Sequence, residues 1–333
     1  MVVIAVAGGT GDVGRVIVEE LLLAGRHKVL ILGRKLTAQL SPRTAAPGPK
    51  VVAIDYDDVE GTAKILQCNK VHTVIAAMSL VGTGETSQQS LILAADKSST
   101  THRFLPSEFG YYITGSDPKG ADEMSGPVLR ARETLSKTEL KTTRFANGIF
   151  MDYFGQPGIP STLRPFRWAV DVPSRRAAIP GTGEEALTVT YSRDVGRFVA
   201  RLMDDEEWCE YSNVSGSDTC LNEIVAIAEG LTGDKFKVTY DSAEDIRDGK
   251  ASVVTQNDAS YGGADAMQIA VMMGRALING ELGIPKDGRL NAKYPELKPM
   301  SIEEMMIAAC GGRPQPHVPD SPSRMGPITA IEE

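Results

Sequence analysis

VVIAVAGGTGDVG, residues 2–14, is the stretch whose reading decides the fold. The apolar run over residues 2–7 goes straight into a glycine turn. It is too short for a membrane span or a signal peptide, and reads as a buried first strand. Gly8, Gly11 and Gly14 fall at the end of that strand and at the start of a helical pattern. In this context a glycine pattern becomes a phosphate-binding expectation. The first glycine permits a tight turn, the second lets backbone N–H groups approach a pyrophosphate, and the third lets the helix pack close to the strand. The helix N-terminus adds partial positive charge. Gly8, Thr10, Gly11, Asp12, Val13 and Gly14 are therefore the candidate contacts of a dinucleotide, the alternative being a plain glycine-rich turn.

Beyond the turn, apolar runs at residues 28–32, 51–54, 73–77 and 102–106 alternate with helical patterns at 13–23, 61–67 and 88–95. Such alternation marks βαβ units, and right-handed crossovers make them a doubly wound parallel sheet. A further helix is expected over 129–137 and a sixth strand over 142–145. Past Gly155 the character changes. Pro157, Pro160, Pro165, Pro173 and Pro180 break up long helices, and a strand-like piece spans 186–191. Helices read at 193–203, 221–231 and 267–278, with a strand over 236–240. The expected architecture is α/β: a Rossmann domain over 1–155 to which later segments can return, a smaller α/β substrate lobe over 156–310, and a loosely held tail over 311–333.

Composition narrows the function classes. A chain of 333 residues, 42% hydrophobic and 23% charged, can bury a sizeable core. A formal net charge of -8 argues against a nucleic-acid partner, which needs a basic surface. Cys68, Cys209, Cys220 and Cys310 are scattered without CxxC spacing, so neither a zinc site nor a disulfide framework is expected, and a reducing, cytoplasmic setting fits. No membrane partner is expected.

The end of the second strand separates NAD from NADP, because an acidic residue there binds the ribose hydroxyl while an arginine accommodates a 2′-phosphate. Here it reads LILGRK, with Arg34 and Lys35 in that place, which favours NADP(H). The alternative is a solvated basic pair. Met78 and Ser79 end the fourth strand and are expected along the cofactor. Ligands of doubly wound folds sit beyond the carboxyl ends of the strands. After the fifth strand that place belongs to Ser107, Glu108, Phe109, Tyr111 and Tyr112.

RFLPSEFG, residues 103–110, taken with GGTGDVG at 8–14, resembles the isoflavone reductase-like and NmrA-like branch of the atypical short-chain dehydrogenases. NGIFMDYFG at 147–155, IPGTGEEALTVTYSRDVGRFVARLMDD at 179–205 and LNAKYPELKPMSIEEMM at 290–306 carry the resemblance to about residue 308. It implies a Rossmann domain that uses NADPH, with Pro106 and Ser107 beside the cofactor and Asp55 near the adenine. Asp55 as a mere turn cap is the alternative. It implies a hairpin within 179–205 and a helix after it, with Asp194 as a helix cap.

Active reductases of this family carry a lysine on the helix after the RFLPSEFG loop. Here PVLRARETLSK, residues 127–137, puts Arg130, or with a gap Arg132, in its place. Lys119 and Lys137 lie well off it. Arginine stays protonated, so it can bind an oxyanion but is a poor general acid. The acid then falls to Tyr111 or Tyr153, or no hydride is transferred. The alternative for both arginines is exposed pairing with Glu133. Glu108 is open between catalysis and a structural hydrogen bond. Arg130, Tyr153, Glu108 and Tyr111 form the candidate catalytic set. Phe109, Tyr112, Asn147, Phe150, Met151 and Phe154 form the candidate wall for a flat substrate, with core packing as the alternative.

Three functions fit. The first is an NADPH-dependent reductase of a small aromatic or conjugated natural product, such as an alkaloid- or polyketide-like molecule of secondary metabolism. The second is a cyclase- or isomerase-type enzyme that keeps NADP(H) bound without redox chemistry, motivated by the arginine. The third is a redox-sensing regulator like NmrA. A monomer or a homodimer is compatible with each.

Overall fold

The computed structural model describes residues 1–34, 49–115, 125–254 and 265–311. β1 (Val3–Ala7) takes the centre of the main sheet because Ile4, Ala5, Val6 and Ala7 are all fully buried, as a strand covered on both faces requires. It is followed by α1 (Asp12–Ala24), β2 (Lys28–Gly33), β3 (Lys50–Ala53), α2 (Val59–Cys68), β4 (Val71–Ala76), α3 (Gly84–Lys97), β5 (Arg103–Leu105), α4 (Ser125–Leu135) and β6 (Lys141–Thr142). The six strands are parallel, in the order β3-β2-β1-β4-β5-β6. The direction of winding reverses between β1 and β4. That switch point is where such sheets open a crevice for a ligand.

Two helix ends have a clear local cause. Asp58 caps α2, accepting the Gly61 N–H at 2.8 Å. Gly25, with φ of 65°, ends α1 by supplying the left-handed residue that a side chain resists. The sixth strand is shorter than expected. After Thr142 the pairing continues only as isolated bridges, Gly110 with Ala146 and Arg144 with Tyr211.

The second half contains β7 (Ile149–Phe150), α5 (Asp152–Gly155), β8 (Val170–Asp171), β9 (Arg176–Pro180), β10 (Leu187–Thr190) and α6 (Ser192–Leu202). β11 (Ser217–Thr219), α7 (Leu221–Thr232), β12 (Lys237–Asp241), α8 (Ala243–Arg247), α9 (Ala266–Ile278), α10 (Leu290–Lys293) and α11 (Ile302–Ala309) follow. Two small sheets result, β11-β10-β7 and β12-β9-β8. β9 and β10 therefore do not pair, which corrects the expected hairpin. Gly181 and Gly183 both take positive φ, and the Glu185 carboxylate accepts the Thr182 and Gly183 N–H groups at 2.8 Å, so the turn sends the two strands into different sheets.

α6 packs along α1. Val195, Phe198, Val199 and Leu202 are buried with Ile17, Val18 and Leu21 in one core, which Leu290 and Tyr294 also join. Gly196 is required there, since a Cβ would meet Val16 and Glu20. Asp194 is not the cap of α6, contrary to expectation. Tyr191 is the N-cap, and the buried Asp194 carboxylate accepts the Met300 N–H at 2.8 Å and pairs with Arg197 at 2.6 Å. It ties the approach to α11 onto α6.

Candidate active site

The turn after β1 is shaped by backbone contacts that tolerate no side chain. Gly8 has φ of 77°, and a Cβ there would stand 2.3 Å from the Ala77 carbonyl oxygen. One on Gly14 would stand 2.2 Å from the Gly8 carbonyl oxygen. The Gly11 N–H closes the turn onto that same carbonyl at 2.9 Å. Gly11 is the N-cap of α1, with no side-chain cap bond. The N–H groups of the first turn are thus left to an anion, and the cradle suits a dinucleotide pyrophosphate.

The turn opens into a cleft of about 630 Å³, within the usual range of about 300–1,000 Å³ for a ligand site. Its walls are Gly8 and residues 10–13 of the turn, residues 77–81 after β4, residues 107–111 with Ile113 after β5, Pro127 and Val128 of α4, and Arg164. Met78, Ser79, Ser107, Glu108, Phe109 and Tyr111 are therefore brought together as the strand-end rule anticipates. Pro106 is buried beneath the loop, its carbonyl accepting the Glu108 N–H at 2.9 Å.

Hydrogen bonds hold this loop in place. The Gln88 amide oxygen, on α3, accepts the Ser107 N–H at 2.8 Å, and the Ser107 hydroxyl donates to the Met78 carbonyl at 2.7 Å. Arg132 grips the buried Glu108 carboxylate, with Nη2 at 2.7 Å and Nε at 3.1 Å from each oxygen, and its Nη1 donates to the Ile113 carbonyl at 2.7 Å. Of the two roles open for Glu108, this geometry supplies the structural one.

Arg130 does not reach the cleft. It is half-exposed and paired with Glu85 at the start of α3, a bond that holds the Glu85 carboxyl below its usual range. The face of α4 that lines the cleft carries Pro127 and Val128, while Arg130 stands off the cleft against Glu85. Among the described lining residues the only cation is Arg164. Its Nε pairs with Asp12 at 2.8 Å, and the neighbouring Thr162 hydroxyl donates to the Asp12 carbonyl at 2.8 Å.

Arg34 is exposed just past β2. Burial pushes the Tyr56 phenol up to about 12 while Arg34 pulls it down, which places the guanidinium within electrostatic reach of that ring. Asp55 accepts the Asp57 N–H at 3.0 Å, the turn-capping geometry. Lys35 lies outside the described residues.

The expected substrate wall is dispersed. Phe109 lines the cleft and its ring lies 5.5 Å from that of Phe145. Tyr112 instead stacks on Tyr211 at 4.9 Å, with its N–H on the Glu281 carbonyl. Asn147, Phe150, Met151 and Phe154 are all buried and line neither described cavity, so the structure does not bring them together with Phe109. The cause is β7, which pairs with β10 and draws the segment into the core between sheet and lobe.

Tyr153 lines a second cavity of about 290 Å³ with Gln156, Ile159, Leu163, Phe166 and Arg167. Burial, reinforced by the Asp152 and Asp12 carboxylates, drives its phenol well above the ordinary range, so it stays protonated. Tyr111 keeps to the first cleft, its hydroxyl in contact with Met273 of α9.

Asp152, within the same segment, is a junction. Its buried carboxylate accepts the Ser161 hydroxyl at 2.6 Å and both the N–H and hydroxyl of Ser192, at 2.8 and 2.6 Å. Gln88 and Arg164 were missed outright, because each acts on residues far away in the chain and no local pattern marks it.

The chain matches the NmrA-like family over residues 2–269. It is 34% identical over 287 residues to oxidoreductase swnN of Metarhizium robertsii, covering 78% of this chain and 82% of that protein. With oxidoreductase BOA1 of Botryotinia fuckeliana it shares 36% identity over 237 residues, 71% of this chain and 78% of the relative. Among solved structures, the leucoanthocyanidin reductase–NADPH complex from Vitis vinifera superposes with a TM-score of 0.69 at 19% identity, over 93% of this chain and 99% of that one.

Proposed function

The chain belongs to the NmrA-like family, and from that premise we propose that it is an NADPH-dependent reductase of a small aromatic or conjugated natural product. One observation carries this reading: the uncapped glycine turn of α1 and the loop holding Ser107, Phe109 and Tyr111 open into the same cleft. A dinucleotide stretched from the turn along the ends of β4 and β5 would bring its nicotinamide to that loop. The names of the two fungal relatives, both oxidoreductases, agree with it.

The bound cofactor supplies the hydride. The protein's part is binding, orientation and exclusion of water. Backbone N–H groups of residues 12–14 would hold the pyrophosphate, and Arg34 the 2′-phosphate. Met78, Phe109, Ile113 and Val128 form a largely apolar wall that keeps the reacting carbon dry. Tyr111 is the phenol among the described lining residues, and is the group we assign to deliver the proton.

A second reading is favoured by one specific feature, the lack of any lysine among the described residues that line the cleft. It is a non-redox step, such as an isomerisation or cyclisation, performed with NADP(H) in place. The two part on a single assay, in which NADPH-loaded protein is incubated with conjugated phenolics, enones, quinones and alkaloids. The reductase reading expects loss of the reduced-nicotinamide absorbance together with a product two hydrogens heavier. An isomer of unchanged mass, with the cofactor still reduced, would replace it by the second.

A further inference from the structure

We infer that Arg164, contributed by the loop between α5 and β8, is the cation that closes on the pyrophosphate of the bound dinucleotide, with Asp12 as its partner when no cofactor is present. This rests on the cofactor reading above and adds to it a residue outside the nucleotide-binding half of the chain.

The charge of the cleft calls for such a group. A dinucleotide brings a doubly charged pyrophosphate to a turn that offers backbone N–H groups and the Thr10 hydroxyl but no cation. The Asp12 carboxylate, in the first turn of α1, faces the same space and opposes it. Glu108, the other carboxylate on the wall, is already neutralised by Arg132. Arg164 is the cationic side chain left among the described lining residues.

The backbone that presents Arg164 is held from several sides. The Tyr191 hydroxyl donates to the Pro160 carbonyl at 2.5 Å, and Ser161 donates to Asp152 at 2.6 Å. Thr162 donates to the Asp12 carbonyl at 2.8 Å, and the Leu163 carbonyl accepts the Gln156 amide at 2.8 Å. Leu163 itself is buried in the core shared with α1 and α6. The Arg164 side chain by contrast is 69% exposed. A firmly held backbone thus presents a solvated guanidinium at the cleft, and its exposed pair with Asp12 is of the kind that contributes little to stability. Two oxygens of a phosphate can take two N–H groups of the guanidinium fork at once, whereas Asp12 meets it through one oxygen.

The test is calorimetric binding of NADPH and NADH to the full chain carrying Arg164→Ala, Arg164→Lys or neither, with the melting temperature of each cofactor-free protein recorded. Both cofactors share the pyrophosphate. Arg164→Ala is therefore expected to weaken both by the same factor, roughly tenfold or more, as the loss of one charge-assisted contact does. Arg164→Lys should recover part of it, and the melting temperatures should coincide. Wild-type affinity for both cofactors in the alanine variant overturns the inference. So does a loss confined to NADPH, which would put Arg164 on the 2′-phosphate. Failure of the unmodified protein to bind either nucleotide would instead refute the cofactor reading beneath it.

Discussion

Arg132 and Glu108 form a buried, two-pronged ion pair: Nη2 lies 2.7 Å from Oε2 and Nε 3.1 Å from both carboxylate oxygens, with the side chains 10% and 4% exposed. An arginine of α4, the helix on which the family resemblance leads one to expect a lysine, is thus engaged in holding the loop that lines the cleft. Removing one partner of a buried pair leaves an uncompensated charge. Arg132→Ala should therefore destabilise the fold by about 3–5 kcal/mol, as read from urea unfolding, and loosen cofactor binding with it. Glu108→Gln, which leaves the buried Arg132 guanidinium without its counter-charge, should also destabilise the fold. A stability equal to that of the unmodified protein in Arg132→Ala would show that the pair is not structural.

Arg130 makes the opposite case. Its pair with Glu85 is exposed, and such pairs contribute at most about 1 kcal/mol. Arg130→Ala and Arg130→Lys should both leave turnover and NADPH affinity as they were. A large fall in either would return Arg130 to the site.

The glycine turn gives a steric prediction. Gly14→Ala places a carbon 2.2 Å from the Gly8 carbonyl oxygen, so the turn must open. NADPH binding should fall by an order of magnitude or more while the rest of the sheet stays folded, as circular dichroism can check. Full affinity in this variant would place the cofactor elsewhere.

Arg34→Ala should weaken NADPH binding far more than NADH binding, since only the former carries the phosphate that the guanidinium would meet. Equal losses for the two would remove the 2′-phosphate assignment.

Stability should also depend on pH through Glu20. Burial between α1 and α6 raises its carboxyl from 4.5 to about 7, against the pull of Arg193 and Arg197. Between those values the folded state holds more protons than the unfolded one, so this contribution is full below 4.5 and is lost as pH rises through about 7. Glu20→Gln should abolish that slope and gain on the unmodified protein at the alkaline end. Parallel pH profiles of melting temperature for the two proteins would show that Glu20 ionises freely.

What was legible in the sequence was what local chemistry dictates. The apolar run before Gly8 makes β1, the three glycines are demanded within a few residues of one another, and the alternation of strand and helix yields the parallel order. The site was legible where it lies at strand ends, as with Met78, Ser107 and Phe109. What escaped depends on how helices are turned by distant packing. Arg130 and Arg132 are two residues apart, hence roughly 200° around the helix, and only the seating of α4 on the sheet decides which of them faces Glu108. The aromatic run 150–154 suits a pocket wall and a core equally well by composition, and the pairing of β7 with β10 puts it in the core. Arg164 had no signal at all, being brought to Asp12 across 152 positions of chain.

The most direct measurement is a single turnover with NADPH deuterated at the transferable position of the nicotinamide, using whichever compound of the substrate panel is consumed. Hydride transfer in the cleft predicts a product that carries the deuterium and one further hydrogen, formed with one equivalent of oxidised cofactor. A product free of label, made while the cofactor stays reduced and deuterated, would contradict the reductase account.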